Sequence, residues 1–217
     1  MKIENYFNAS KDEIVDKKLN ILLGVSLGNK YFTKENLKDY ILWSVENTKE
    51  KIAILIPDKI HSINYEIKNK YSKQRASQVS YRKGQEIEKI IREIISEFPK
   101  NIQDKIFVVH WEDIEDLRYQ IQKTQILEEF ENNVEFKREV IDIVRENTNG
   151  KALELHDLEK LALYVLNELP MLISGINYQG NHFGLLPYPG LSKIDYLVFD
   201  LQENRRFHDL AKKLNIK

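Results

Sequence analysis

Ile21-Leu22-Leu23-Gly24-Val25-Ser26-Leu27-Gly28-Asn29 governs how the rest of this 217-residue chain is read. A short apolar run closed by a turn marks a buried strand, predicted here over residues 20–26. The strand stops at a serine. A serine in a Gly-flanked turn holds its hydroxyl out to solvent. The same turn aims backbone N–H groups at whatever that hydroxyl attacks, which is the arrangement of a nucleophile beside an oxyanion site.

Downstream of this stretch, Thr33 is the expected N-cap of a helix running to about residue 48. Residues 51–56 form a second buried strand, stopped by Pro57-Asp58. A long helix is predicted over 72–98 and a third strand over 106–109, ending in His110-Trp111. Helices follow near 113–130 and 133–146, and Asn149-Gly150 breaks the pattern. Residues 156–169 form another helix, stopped by Pro170. A loop rich in Gly, Pro and Tyr covers 177–190, followed by a late strand at 196–199 and a terminal helix at 205–214. Alternating strands and helices predict an α/β fold with a mostly parallel sheet and helices on both faces. No Pro/Gly/Ser-rich linker divides the chain, so one domain is expected over residues 1–217. In such sheets ligands bind beyond the carboxyl ends of the strands, where Ser26, Asp58 and His110 all fall.

Lys and Arg total 33 against 34 Asp and Glu, a net charge of −1. Global charge therefore points to no polyanionic partner, and only a local cluster of charge could attract one. With no cysteine, disulfides, thiolate metal sites and thiol nucleophiles are excluded. The first five residues, Met1-Lys2-Ile3-Glu4-Asn5, lack an apolar signal core, and a cytoplasmic location is expected.

Gly24-x-Ser26-x-Gly28 matches the nucleophile elbow of serine hydrolases letter for letter. That elbow needs several strands and an oxyanion loop before it, then an acid and a histidine after it. Here the serine ends the first strand, and none of His156, His182 and His208 has an evident partner loop. A serine that merely caps the following segment is the plainer alternative. A dinucleotide site lacks its third glycine.

Two further stretches carry chemistry. In residues 156–169, Leu158, Leu161, Ala162, Val165 and Leu169 make one helical face. Tyr164 and Glu168, four apart, share its flank. A carboxylate beside a phenol at the edge of a buried surface can hold an ammonium or pass protons; a surface Glu beside a half-buried Tyr is the ordinary alternative. Placed before Pro170, Glu168 is expected in the last turn, where the helix dipole opposes its charge. Between Ile67 and Gln85 there are six cations and no acid: Lys68, Lys70, Lys73, Arg75, Arg82 and Lys83. Arg75, Arg82 and Lys89 recur every seven residues and form a stripe, opposite Ile87, Ile90, Ile91 and Ile94. Such a stripe can follow a phosphate backbone, or it can be a solvated face paired with local acids.

Together these segments resemble the tRNA-dependent cyclodipeptide synthases. Residues 24–32, Gly-Val-Ser-Leu-Gly-Asn-Lys-Tyr-Phe, are similar to that family's serine motif. Tyr164-Val165-Leu166-Asn167-Glu168-Leu169-Pro170 is similar to its Y-x-x-x-E-L-P helix, and Tyr188-Pro189 stands where it has a further catalytic tyrosine. The resemblance implies a Rossmann-like three-layer domain akin to the catalytic domain of class I aminoacyl-tRNA synthetases, with no cofactor and no metal. It implies that two aminoacyl-tRNAs are joined into a diketopiperazine through an aminoacyl-Ser26 and a dipeptidyl-enzyme. Tyr164 and Glu168 would bind the aminoacyl ammonium, Glu168 also moving protons. Tyr188 would help position Ser26, and Asn29 completes the serine motif. Leu22, Gly24, Met171 and Leu186 would line the first aminoacyl pocket. Arg75, Arg82, Lys83 and Lys89 become the tRNA contacts, in a monomer or a homodimer.

The chain also departs from the family's pattern. One branch pairs Asn after the serine with Tyr-Gln, the other has Tyr-Pro; this chain has Asn29 with Tyr188-Pro189, and the Tyr-Pro branch is preferred. Tyr178-Gln179, ten residues after Glu168, is the alternative position for the loop tyrosine. Leu27 replaces the proline that often follows the serine. Two other functions stay open: a serine hydrolase built on Ser26, and a non-catalytic tRNA-binding module. For the latter, His61-Ser62-Ile63-Asn64 and Lys70-Tyr71-Ser72-Lys73 match synthetase signatures poorly.

Overall fold

The structure, a computed structural model, describes residues 10–148 and 152–216. The opening pentapeptide and Asn149-Gly150 lie outside the described residues. The described residues fall into two compact units.

The first unit comprises the chain through Lys59, Ser77–Ile114 and Gly175–Pro189. Its centre is a parallel sheet of β1 (Ile21–Gly24), β2 (Ile52–Ile56) and β3 (Ile106–His110), in that order. Ile21 pairs with Ile52 and Ile52 with Ile106. A parallel pair needs a crossover, and α2 (Lys34–Asn47) and α4 (Lys73–Ser96) lie in the two crossovers. Because each new strand is added on the same side of the last, crossovers of one hand bring both helices to one face. That face is Ile21, Leu23, Ile52, Ile54, Ile56 and Ile106, packed with Leu37, Tyr40 and Ile41 of α2 and Ile91 and Ile94 of α4. Residues of the opposite face, Leu22, Ala53, Leu55 and Val109, are buried too, as expected of parallel strands. Thr33 caps α2, accepting from the Asn36 N–H at 3.3 Å, as its sequence predicts. A hairpin of β4 (Ile176–Tyr178) and β5 (Asn181–Phe183) turns through Gln179 and Gly180, both at positive φ. This replaces the first part of the loop expected at 177–190.

The second unit comprises Ile60–Ala76, Glu115–Ser174 and the chain from Gly190 onward. It is helical: α3 (Ser62–Lys68), α6 (Leu117–Asn132), α7 (Val134–Glu146), α8 (Leu155–Ser174), α9 (Lys193–Gln202) and α10 (His208–Lys213). The short helices α1 (Lys11–Val15) and α5 (Lys100–Gln103) belong to the first unit. Leu161, Val165, Leu166 and Leu169 of α8 form a core with Ile126 and Phe130 of α6, Phe136 and Val140 of α7, and Leu197 and Leu201 of α9. Each such side chain contributes roughly 1.5–3 kcal/mol on burial.

Two expectations are overturned here. Residues 196–199 are not a strand but the middle of α9. Leu197, Val198 and Leu201 face its core at helical spacing. The Asp195 carboxylate reaches back to the Ser192 N–H at 2.7 Å and hydroxyl at 2.9 Å, starting the helix. Nor does Pro170 end its helix. It lies inside α8, which runs on to Ser174. Proline removes one backbone donor at a cost of about 3 kcal/mol or more, and burial of Leu169, Pro170, Met171 and Ile173 opposes that cost. Neighbouring helices also grip the backbone near the proline. The Tyr119 hydroxyl donates to the Asn167 carbonyl at 3.0 Å, and the Gln202 amide to that of Ile173 at 2.8 Å.

Candidate active site

In the first unit, sheet pairing continues one residue past β1: the Val25 N–H donates to the Leu55 carbonyl at 3.1 Å. Ser26 is the next residue and is half-buried. The Asn29 N–H donates to the Ser26 carbonyl at 3.3 Å, with Gly28 at φ +87°. A closing bond from the fourth residue and a positive φ at the third describe a type II turn, which is why glycine stands at position 28. The exposed Asn29 braces the next three residues. Its side-chain oxygen accepts from the Tyr31 N–H at 2.9 Å, and its carbonyl from the Phe32 N–H at 3.2 Å.

The edge of β1 away from β2 is covered by the segment after the hairpin. The Leu22 N–H donates to the Leu185 carbonyl at 2.8 Å, and Ile21 and Leu185 form a parallel bridge. Counting three residues along both segments places Tyr188 beside Gly24. A Cβ built on Gly24 lies 3.9 Å from the Tyr188 ring, and the Phe32 ring lies tilted against it with centroids 6.3 Å apart. The Tyr40 hydroxyl donates to the Pro187 carbonyl, fixing the segment from α2. Tyr178 is placed differently. It sits in β4, with its ring against Phe107 of β3 at 5.8 Å. Leu22 is fully buried and Leu186 half-buried.

In the second unit, Tyr164, Glu168 and Met171 lie on successive turns of α8, and Met171 is buried. The Tyr164 hydroxyl donates to the Glu168 carboxylate. Burial pushes that carboxyl up to about 7 against the lowering effect of this bond, and the charge of Asp195 adds to the rise. Glu168 is therefore not perturbed as a last-turn acid facing the dipole, because α8 continues beyond it. Desolvation is the cause. His61, which the sequence marks only as part of a poor synthetase signature, packs edge-on against Tyr164 at 5.8 Å. Burial, with Lys68 nearby, lowers its pKa to about 4, so it is a neutral wall of this pair.

The four predicted cations lie on α4 and all are exposed. The solvated-face alternative is partly met. Glu86 takes Lys83 at 2.7 Å and Arg82 at 3.8 Å, while the Arg75 guanidinium covers the Tyr71 ring at 4.2 Å. Exposed pairs of this kind are worth roughly 0.3–0.5 kcal/mol and yield readily to a phosphate.

The histidines bear on the hydrolase alternative. His182 Nδ1 meets the Asn177 side-chain oxygen at 3.1 Å and His208 Nδ1 that of Asn204 at 3.0 Å. These are amides where a hydrolytic triad has a carboxylate. His110 does have its carboxylate, with Nδ1 at 2.8 Å from Asp58. Its other nitrogen, however, faces Glu88 at 3.3 Å. The sequence placed Asp58 and His110 at strand ends but gave no sign of Glu88; thirty residues separate it from Asp58, with no local signal to join them.

The model of the cyclodipeptide synthase family matches residues 5–208. Among solved structures, a cyclodipeptide synthase from Staphylococcus haemolyticus is similar with a TM-score of 0.73 at 22% identity, covering 89% of this chain and 87% of that one. One from Bacillus thermoamylovorans has a TM-score of 0.72 at 17% identity, covering 90% and 86%. A Mycobacterium tuberculosis protein has a TM-score of 0.64 at 18% identity, covering 74% and 68%; its structure is described as demonstrating that cyclodipeptide synthetases are related to type I tRNA synthetases. No protein of curated function matches by sequence. No described helix is long and apolar enough to cross a membrane. With a serine turn at the mouth of a Rossmann-like parallel sheet and a family match over nearly its whole length, the chain belongs to the cyclodipeptide synthases, aminoacyltransferases that make cyclic dipeptides from aminoacyl-tRNAs.

Proposed function

We propose that Ser26 carries the first aminoacyl group and that synthesis follows a ping-pong course. The observation that supports this reading most is the position of Ser26, one residue beyond the sheet ladder in a turn closed by the Asn29 N–H. Val25 and Asn29 have their N–H groups engaged, which leaves those of Ser26, Leu27 and Gly28 as the turn's candidate oxyanion donors. Ser26 Oγ attacks the ester carbonyl of the first aminoacyl-tRNA, loses its proton, and the tRNA ribose hydroxyl leaves protonated. For the growing chain to stay on the serine, the amine of the aminoacyl-serine then attacks the second aminoacyl ester and expels the second tRNA. The new terminal amine closes on the seryl ester and frees Ser26. An activated ester needs orientation and charge stabilisation more than a triad.

Each attacking amine must first lose a proton. Glu168 suits that task, because a carboxyl titrating near neutrality binds an ammonium when ionised and accepts its proton at working pH. Tyr164 holds it in place. Tyr188 is the loop tyrosine in this reading, on the strength of its neighbourhood to Gly24, which favours the Tyr-Pro branch. Leu22, Gly24 and Leu186 line part of the first aminoacyl pocket, and Arg75, Arg82, Lys83 and Lys89 meet tRNA phosphates. The chain acts as one domain in the cytoplasm, as a monomer or homodimer, with no metal or other cofactor. Expression in bacteria tests the proposal. Mass spectrometry of the medium is expected to find a diketopiperazine for the wild type and none for Ser26→Ala; equal product from both rejects it.

A further inference from the structure

Asp58, His110 and Glu88 form a polar network, within the first unit, that the reaction above does not use. Asp58 follows β2, is 4% exposed, and its carboxylate accepts from His110 Nδ1 at 2.8 Å and from the Lys59 N–H at 2.9 Å. His110 Nε2 faces Glu88 of α4 at 3.3 Å. The network grips α4 along one stripe, at Ser80, Gly84 and Glu88, four residues apart. The Ser80 hydroxyl donates to the Asp58 carbonyl. Gly84 comes so close that a Cβ there would lie 2.7 Å from the Asp58 Cβ. Glu88 is held through His110. Ile87, Ile91 and Ile94 pack into or against the sheet core beside this stripe, but apolar packing alone tolerates small slips along a helix. A hydrogen-bonded stripe fixes the register.

We propose that the Asp58–His110–Glu88 bridge is a positioning device that sets the seat of α4 and so the placement of Arg82, Lys83 and Lys89 against tRNA phosphates. This rests on the tRNA-binding part of the function proposed above. The bridge is linked to protons. Only an imidazolium donates from both nitrogens at once; a neutral ring that keeps its bond to one carboxylate turns a lone pair to the other. His110 is faced by Asp58 from the β2 loop, by Glu88 from α4, itself paired with Arg92 at 2.7 Å, and by Asp113, which accepts from the His110 N–H at 2.9 Å. Burial opposes its charge, but the hydrogen bond and charge of Asp58, backed by Glu88 and Asp113, more than offset it, so the pKa is raised. Stability from a raised histidine is present below its unfolded pKa and lost as pH rises through the folded one. The seat of α4 therefore loosens as His110 deprotonates.

Hydrogen exchange on the full chain without tRNA, from pH 6 to 9 and corrected for intrinsic rates, reads the bridge directly. In the wild type, α4 amides around Glu88 lose protection as pH rises. In Glu88→Gln an amide can face either form of the ring, and the pH dependence around residue 88 shrinks to what Asp58 and Asp113 still carry. In His110→Phe protection is low throughout. Over the same range KM for aminoacyl-tRNA rises about tenfold more in the wild type than in Glu88→Gln, while kcat, which follows Glu168, changes alike in both. Wild-type protection that ignores pH, or an equal pH response in Glu88→Gln, overturns the bridge. A pH-sensitive α4 in an enzyme whose KM follows pH alike in wild type and Glu88→Gln overturns its role in tRNA placement. Absence of product and of tRNA binding at every pH instead rejects the function proposed above, and exchange then still decides whether the bridge exists.

Discussion

The two units prepare their chemical groups in opposite ways. The sheet unit presents Ser26 by ending a strand: backbone pairing stops, a turn with a required glycine begins, and the hydroxyl is left half-buried at the rim. The helical unit presents Glu168 by leaving the backbone regular and altering the surroundings, so burial raises the carboxyl to about 7 while Tyr164 orients it. One unit tunes geometry and the other tunes a protonation state. If Ser26 and Glu168 play the roles proposed, activity must respond to any change of the serine oxygen and, through the acid, to pH.

Ser26→Ala strains this contrast most severely. A single-turnover assay with aminoacyl-tRNA is expected to show a loss of at least about a thousandfold, since a covalent route has no substitute nucleophile. Residual activity within tenfold of wild type contradicts the geometric half. Glu168→Gln comes next, with roughly a hundredfold loss in kcat, in the range of general acid–base terms. It carries a second signature. A carboxyl raised in the folded state is neutral below its unfolded pKa of 4.5 and destabilises the fold increasingly as pH rises from there to about 7. Thermal melts should show Glu168→Gln gaining stability over wild type across that window, with no gain at pH 4. A pH-independent difference removes the burial argument.

Tyr188→Phe and Tyr178→Phe probe the sheet side. The first is expected to lower kcat about tenfold and the second to leave it within about twofold, the scale of one hydrogen bond against none. The reverse ranking moves the loop tyrosine to the hairpin. Lys89→Ala is the mildest, raising KM about two- to threefold with kcat unchanged and reducing the salt dependence of binding by about one phosphate contact.

The sheet was legible because its strands are continuous apolar runs, the first two stopping at turn residues (Val25-Ser26 and Ile56-Pro57) and the third running one residue further than expected, to His110. Tyr196-Leu197-Val198-Phe199 misled because aromatic and β-branched residues favour strands, yet Ser192 and Asp195 had already marked a helix start. Pro170 misled because a proline's cost is local while the packing that opposes it is not: local sequence does not show that Tyr119 holds the helix before it and Gln202 beyond it. Of the candidate residues, Ser26 in the first unit and Tyr164 and Glu168 in the second stood out through spacing within single elements. Tyr188 could be set beside Gly24 only once the Ile21–Leu185 bridge fixed the register. The Asp58–His110–Glu88 network spans three elements, a separation that no periodicity reports.

Intact-mass spectrometry of the enzyme, mixed with one kind of aminoacyl-tRNA and quenched in acid, is the decisive test of the covalent step. The expected result is an added mass of one aminoacyl group, mapped by fragmentation to Ser26 and missing from Ser26→Ala. Diketopiperazine formation with no adduct at any time point, or an adduct that survives in Ser26→Ala, contradicts it.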